Sequence, residues 1–104
     1  MINIVNVNIH CDDQCKVTAM DIKFKACPEE LINNSNQHLI ARISAAFNSL
    51  ALFSEYGKSF RMEQNPKRQN IANMHITFWE NILSFKDVGE FIEELQKALL
   101  NSPF

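Results

Sequence analysis

The chain has 104 residues and a mass of 12.0 kDa, which fits one domain and leaves no room for two. Hydrophobic residues make up 46% and charged residues 21%, which is typical of a globular protein and argues against a disordered chain. The formal net charge of −2 has the wrong sign for a bulk nucleic-acid binder, and the two glycines are too far apart to form a phosphate-binding loop.

Residues 2–9 alternate between apolar and asparagine side chains, as a half-buried strand does. The apolar side chains Ile2 and Ile4 are out of phase with those that follow from Val5 onward. This change of phase predicts either a strand end covered on both faces or a β-bulge that resets the register.

The polar segment at residues 12–14 is typical of a turn, and residues 17–26 then alternate again. Two alternating runs joined by a short polar segment predict a β-hairpin. Pro28 ends the second run, because proline cannot donate a hydrogen bond to the strand ladder. Residues 28–33 then form either a short turn or the weak first half of a helix.

From Leu39 onward, apolar side chains recur with helical spacing, which predicts a helix that ends near Gly57. Residues 58–63 fit a short strand that follows this helix. Residues 48–64 also fit a second hairpin built around Gly57, so the sequence leaves these two alternatives open.

Residues 71–79 predict the clearest strand of the second half, after a loop at 64–70. Ile82 and Leu83 either add a short strand or lead into the last helix. Ser84 and Asp87 resemble the capping box of that helix. Its apolar stripe is Val88, Phe91, Ile92, Leu95 and Leu99.

Gly89 lies inside the predicted last helix, where glycine costs stability. We therefore expect Gly89 to mark close packing against another element. The element order is strand, strand, helix, strand, strand, helix. It predicts one α+β domain over residues 1–104, with an antiparallel sheet of about four strands and two helices on one face. The strand order and the open edge of the sheet are left undetermined.

His10, Cys11 and Cys15 form the first candidate for chemistry, because two thiols and an imidazole on a hairpin loop are ligands for a soft metal. No second pair of ligands follows downstream, so a reduced pair of cysteines near a turn is the favoured interpretation. Nothing in the chain resembles a nucleophile with its base and orienting group. We therefore expect no cofactor, no metal and no enzymatic activity, although the sequence leaves metal binding by this cluster open.

The compartment is inferred from the cysteines and from the lack of targeting segments. The chain has three cysteines, Cys11, Cys15 and Cys27. An odd number argues against a secreted domain held together by disulfide bonds. The first nine residues lack the features of a signal peptide, and polar side chains interrupt the longest apolar-rich stretch, residues 39–53. We therefore expect a cytoplasmic protein that has no membrane contact.

Charge is unevenly distributed along the second half of the chain. Residues 58–78 carry four basic side chains against one acidic, whereas residues 79–104 carry five acidic side chains against two basic. An ordinary solvated surface explains this pattern, and so does a polar docking surface. The candidate partner-binding residues are Lys58, Arg61, Lys67, Arg68, His75, Trp79, Glu90 and Glu94.

These features favour a non-catalytic protein-binding module that occupies the surface of a partner protein. Inhibitors, immunity proteins, anti-defence proteins and adaptors act in this way. The alternative is a small nucleic-acid-binding regulator that uses the exposed sheet face and the basic segment 58–68, with help from Lys23 and Lys25. Both hypotheses are compatible with a homodimer in which an edge strand such as residues 2–9 pairs with its copy.

Overall fold

The computed structural model describes residues 2–26, 36–50, 57–65, 67–68, 70–78 and 85–101. Its elements are, in chain order, β1 (Ile2–Cys11), β2 (Val17–Ala26), α1 (Asn36–Asn48), β3 (Gly57–Gln64), β4 (Ile71–Phe78) and α2 (Phe85–Asn101). The four strands form one antiparallel sheet in the order β1-β2-β4-β3. Both helices pack on one face of the sheet, so the predicted α+β class is confirmed.

The sheet consists of two hairpins placed side by side. Hairpin β1–β2 and hairpin β3–β4 meet through the pairing of β2 with β4, which makes these two strands central and leaves β1 and β3 at the edges. The central strands have the larger number of buried side chains, whereas most of β1 is exposed. Burial therefore agrees with position in the sheet.

The core lies between the helix-facing side of the sheet and the two helices. Three phenylalanines connect its layers: Phe91 of α2 meets Phe47 of α1 with ring centroids 5.7 Å apart, and it meets Phe78 of β4 at 6.3 Å. Both contacts are edge-to-face, which is the arrangement that aromatic quadrupoles favour. Phe60 of β3 closes the same cluster with its ring 4.8 Å from that of Phe47.

A β-bulge explains the change of phase in the first strand. The pairing of β1 with β2 passes from Ile4 opposite Phe24 to Asn6 opposite Lys23, so Val5 is the extra residue. Val5 is 50% exposed. The bulge alternative is therefore confirmed, and it allows the apolar residues before and after Val5 to face the same core.

Helix α1 ends at Asn48, earlier than predicted. The backbone amides of Ser49 and Leu50 donate to carbonyls three residues back, and the Ser49 hydroxyl also donates to the Ala46 carbonyl at 2.6 Å. These bonds tighten the last turn and stop the helix. Gly57 is then the first residue of β3, opposite Phe78, so the helix-and-strand alternative is correct and the prediction of a hairpin around Gly57 is wrong.

Several predictions concern residues that lie outside the described ranges. They are the turn or helix at 28–33, the role of Ile82 and Leu83, the Ser84 cap and the position of Trp79. Within the described ranges, no helix has both the length and the apolar character needed to cross a membrane.

The expectation of close packing at Gly89 is wrong. Gly89 is exposed in the second turn of α2, and apart from the neighbouring backbone of its own helix, a methyl group added to its Cα meets no atom within 4 Å. Gly89→Ala is therefore expected to raise the free energy of unfolding by about 1 kcal/mol, because alanine loses less backbone entropy in a helix. Urea denaturation measures this gain. Glu90→Ala, on the same exposed surface, is the control and should leave the free energy of unfolding almost unchanged. A variant less stable than the wild type would contradict the open environment of Gly89.

Candidate functional site

The sheet face that points away from the helices is polar and carries one cross-strand row of functional side chains. Each strand contributes one residue to this row, and neighbours in the row are paired in register. Across the sheet the row runs Asn8, Asp21, His75, Arg61. Because side chains alternate between the two faces of a strand, all four lie on the open face. Asp21 and His75, which are 54 residues apart in the sequence, are thereby direct neighbours.

Asp21 is the centre of a hydrogen-bonded cluster on this face. Its Oδ2 atom lies 2.6 Å from Nε2 of His10, and its Oδ1 atom lies 2.6 Å from Nδ1 of His75. An ionised carboxylate can only accept, so both ring nitrogens must carry the hydrogen. The neutral tautomers are therefore Nε2–H for His10 and Nδ1–H for His75.

The hydrogen bonds from His10 and then from His75 lower the pKa of Asp21 below its ordinary value of 3.8. The Asp21 side chain is 43% exposed, and those of His10 and His75 are 53% and 36% exposed. Solvent therefore screens the cluster, so the two bonds position the histidine rings more than they stabilise the fold.

Among the described residues, no hydroxyl or thiol is hydrogen-bonded to either histidine ring. The nearby hydroxyls of Ser59 and Thr77 bond to each other at 2.6 Å. A shallow pocket of about 80 Å³ lies beside Asp21 and is lined also by His75 and Arg61, which is smaller than the pockets that hold small molecules.

The cysteines near His10 do not join it in a common site. His10 directs its Nε2 atom to Asp21, while Cys11 and Cys15 are both exposed and free. Cys15 occupies the left-handed position of the hairpin turn, with φ of 61°. In the part of the chain that the structure describes, no group of three or more His, Cys, Asp or Glu is arranged to hold a metal ion.

Basic side chains collect at the end of the sheet where β2 ends and β4 begins. Lys23 and Lys25 extend from the open face of β2, and Lys67 and Arg68 lie in the loop between β3 and β4. All four are exposed. We call this group the basic end.

Hydrogen bonds hold the loop of the basic end against β2. The Ala26 amide donates to the Asn70 carbonyl at 2.8 Å, and Nδ2 of Asn70 donates to the Ala26 carbonyl at 3.0 Å. Within the loop, Oδ1 of Asn65 accepts the backbone amides of Lys67 and Arg68. The loop backbone is thus fixed beside the end of β2, so its two basic side chains start from defined positions.

None of the four side chains of the basic end forms an ion pair with another described residue. Arg61, by contrast, has Glu63 beside it, with Nε 3.5 Å from Oε1. Glu63 is separated from Lys23 by the full width of β4, because both are register partners of Asn73 on opposite sides of that strand. Among the described residues, no carboxylate therefore neutralises the basic end.

The structure places four of the eight predicted partner-binding residues on the two surfaces described above. Arg61 and His75 are neighbours on the open sheet face, and Lys67 and Arg68 lie at the basic end. Glu90 and Glu94 are exposed on α2, in the helix layer, and are not brought together with these four. The side chain of Lys58 and the whole of Trp79 are outside the described part of the chain.

Sequence reasoning missed the bonds of Asp21 to the two histidines. It placed His10 with the cysteines and His75 among the candidate partner-binding residues. Asp21 and His75 become neighbours only through the pairing of β2 with β4, which the residue pattern did not reveal. The one available signal was that Asp21 and His75 each lie on the polar, outward-facing side of the predicted strand.

Comparison of the chain with protein-family models, with curated proteins and with solved structures gives no match. The open sheet face and the basic end are therefore the features that bear on function.

Proposed function

We propose that this protein is a non-catalytic binding module that docks its basic end on an acidic surface of a partner protein. Occupying that surface is how inhibitors, immunity and anti-defence proteins and adaptors act, and we place this activity in the cytoplasm. The observation that carries the proposal is the group of four exposed basic side chains, Lys23, Lys25, Lys67 and Arg68, which have no acidic partner among the described residues. Such a patch attracts a complementary surface and orients it on approach.

The composition of the open face favours a protein over a nucleic acid as the partner. The carboxylates of Asp21 and Glu63 lie on this face between the basic groups and repel phosphates. Single-stranded nucleic acids bind through bases stacked on aromatic rings, and the described open face carries no Phe, Tyr or Trp. Mixed charges with hydrogen-bonding side chains are typical of the polar rim of protein interfaces.

The test compares two double variants with the same change in net charge. Lys67→Glu with Arg68→Glu reverses the loop half of the basic end, whereas Lys86→Glu with Lys97→Glu reverses two exposed lysines of α2. Each tagged protein captures its partners from a lysate of its natural host cell, once without and once with nuclease treatment. The retained protein is then purified and titrated against all three baits.

We expect the basic-end variant to bind the purified partner at least about tenfold more weakly, which corresponds to about 1.4 kcal/mol, and the α2 variant to bind as the wild type does. Binding should weaken with salt but persist after nuclease treatment. Equal binding by all three proteins would refute the proposed surface. Retention of nucleic acid alone, released by moderate salt, would favour the regulator hypothesis instead.

A further inference from the structure

The exposed edge of β1 differs from the exposed edge of β3 in its chemistry. Strand β3 carries Lys58, Arg61 and Glu63, and charged side chains prevent an edge strand from pairing with another chain. Strand β1 has the sequence INIVNVNIHC, which contains no Lys, Arg, Asp, Glu or Pro. Edge β1 therefore lacks the protection that edge β3 has.

Helix α2 hydrogen-bonds to the first part of the β1 edge through Gln96. The side-chain amide of Gln96 accepts the Ile4 amide at 3.3 Å and donates to the Ile2 carbonyl at 3.4 Å, as a neighbouring strand would do. The bulge at Val5 follows directly. Beyond it, Asn6 to His10 pair with β2 without interruption until the next register shift. Among the described residues, the side-chain hydrogen bonds to this edge are those of Gln96 at Ile2 and Ile4, and none reaches the backbone of Val7 or Ile9.

The register identifies which peptide groups are free on this edge. The Ile4 amide points to Gln96 and therefore away from β2, which makes Ile4 and Phe24 a pair without mutual hydrogen bonds. Ile22 and Met20 follow Phe24 at intervals of two residues along β2, so the pairing of β1 with them is of the same type. The N–H and C=O groups of their partners, Val7 and Ile9, are thus directed outward.

We propose that β1 pairs antiparallel with β1 of a second copy of this chain across a twofold axis at Asn8. Val7 of one copy then exchanges backbone hydrogen bonds with Ile9 of the other, and the two Asn8 side chains meet on the open face. Asparagine carries both a donor and an acceptor, so it is complementary to itself, and the strand brings no like charges together. The pairing joins two sheets into one of eight strands.

The experiment changes the exposed residue at the twofold axis. Asn8 is exposed and lies opposite Asp21, so Asn8→Lys places a lysine beside a carboxylate within its own chain but opposite a second lysine in the dimer. Asn8→Glu is its charge-reversed counterpart. Asn73→Lys makes the same change on central strand β4, away from the edge. Sedimentation equilibrium over about 10 to about 500 µM measures the mass of each, because an edge contact is small and weak.

We expect the wild type and the Asn73→Lys variant to approach twice the 12.0 kDa monomer mass as concentration rises. Asn8→Lys alone and Asn8→Glu alone should associate at least about tenfold more weakly, and their equimolar mixture should recover the dimer. A wild type that stays monomeric throughout would overturn the proposal. So would an Asn8→Lys variant that dimerises as the wild type does, or a mixture that stays monomeric. Circular dichroism confirms that each variant is folded.

Discussion

Replacing Phe91 with alanine is expected to lower the free energy of unfolding by about 3–5 kcal/mol, the largest effect among our predictions. Phe91 is 1% exposed and contacts Phe47 and Phe78 edge-to-face, so it joins both helices to the sheet. Replacing it with alanine removes buried apolar surface and two aromatic contacts at the point where α1, α2 and the sheet pack together. The total free energy of unfolding of a small domain is only about 5–15 kcal/mol, so the variant should be close to unfolding at physiological temperature.

Urea denaturation followed by circular dichroism measures this loss. Leu100→Ala is the matched control, because Leu100 is 49% exposed on the same helix and its truncation removes little burial. The control should lose less than about 1 kcal/mol. A loss of similar size at both positions would show that α2 does not pack on the sheet through Phe91.

Replacing Asp21 with asparagine is expected to lower the free energy of unfolding at neutral pH by about 1–2 kcal/mol. The change removes the charge from two charge-assisted hydrogen bonds, to His10 and His75. We take a low value for two such bonds because the Asp21 side chain is 43% exposed and solvent screens it. Asp13→Asn, at an exposed carboxylate in the β1–β2 turn, should leave the stability unchanged.

The effect of Asp21 has a defined pH dependence. Folding lowers the pKa of Asp21 below the ordinary value of 3.8, so its stabilising contribution is fully present above that value. The contribution is lost as the pH falls through the lowered pKa. The difference in stability between the wild type and Asp21→Asn should therefore have its full value at pH 7 and should approach zero once the pH is below the lowered pKa of Asp21. A difference that grows as the carboxylate is protonated would contradict the cluster.

Nitrogen NMR of the histidine rings tests the same cluster independently of stability. In the wild type, the neutral ring of His10 should carry its hydrogen on Nε2 and that of His75 on Nδ1, because each of these nitrogens faces an oxygen of the ionised carboxylate. In Asp21→Asn, one of the two rings should change its tautomer, since an amide offers one acceptor and one donor.

The elements of the fold could be predicted because each has a local cause. The alternation of apolar and polar residues predicted the ends of β2 and β4 to within one or two residues. The apolar stripe that includes Phe91 and Leu95 predicted α2. The end of α1 was predicted too late, because the glycine chosen as the stop lies inside the next strand. The actual stop depends on hydrogen bonds of Ser49, which no periodicity reveals.

The candidate site could be predicted only in part, for a physical reason. Charge was visible in the sequence, so Lys67 and Arg68 were recognised without knowledge of the sheet. Which charges meet depends on strand order and register, and these are set by the packing of the whole core rather than by any one segment. Lys23 and Lys25 were named only as additional basic residues for the nucleic-acid-binding alternative. In the structure they are two of the four basic side chains of the basic end.

The sequence by itself therefore determined the kind and order of the elements, since hydrophobic periodicity within each segment decides whether it can bury one face as a strand or as a helix. Only the tertiary structure decided that β2 lies beside β4, and with it the meeting of Asp21 with His75 and the exposure of β1 as an edge. These are contacts between residues distant in the sequence. They follow from the arrangement that buries the strand faces and helix stripes together, a condition that applies to the folded chain as a whole.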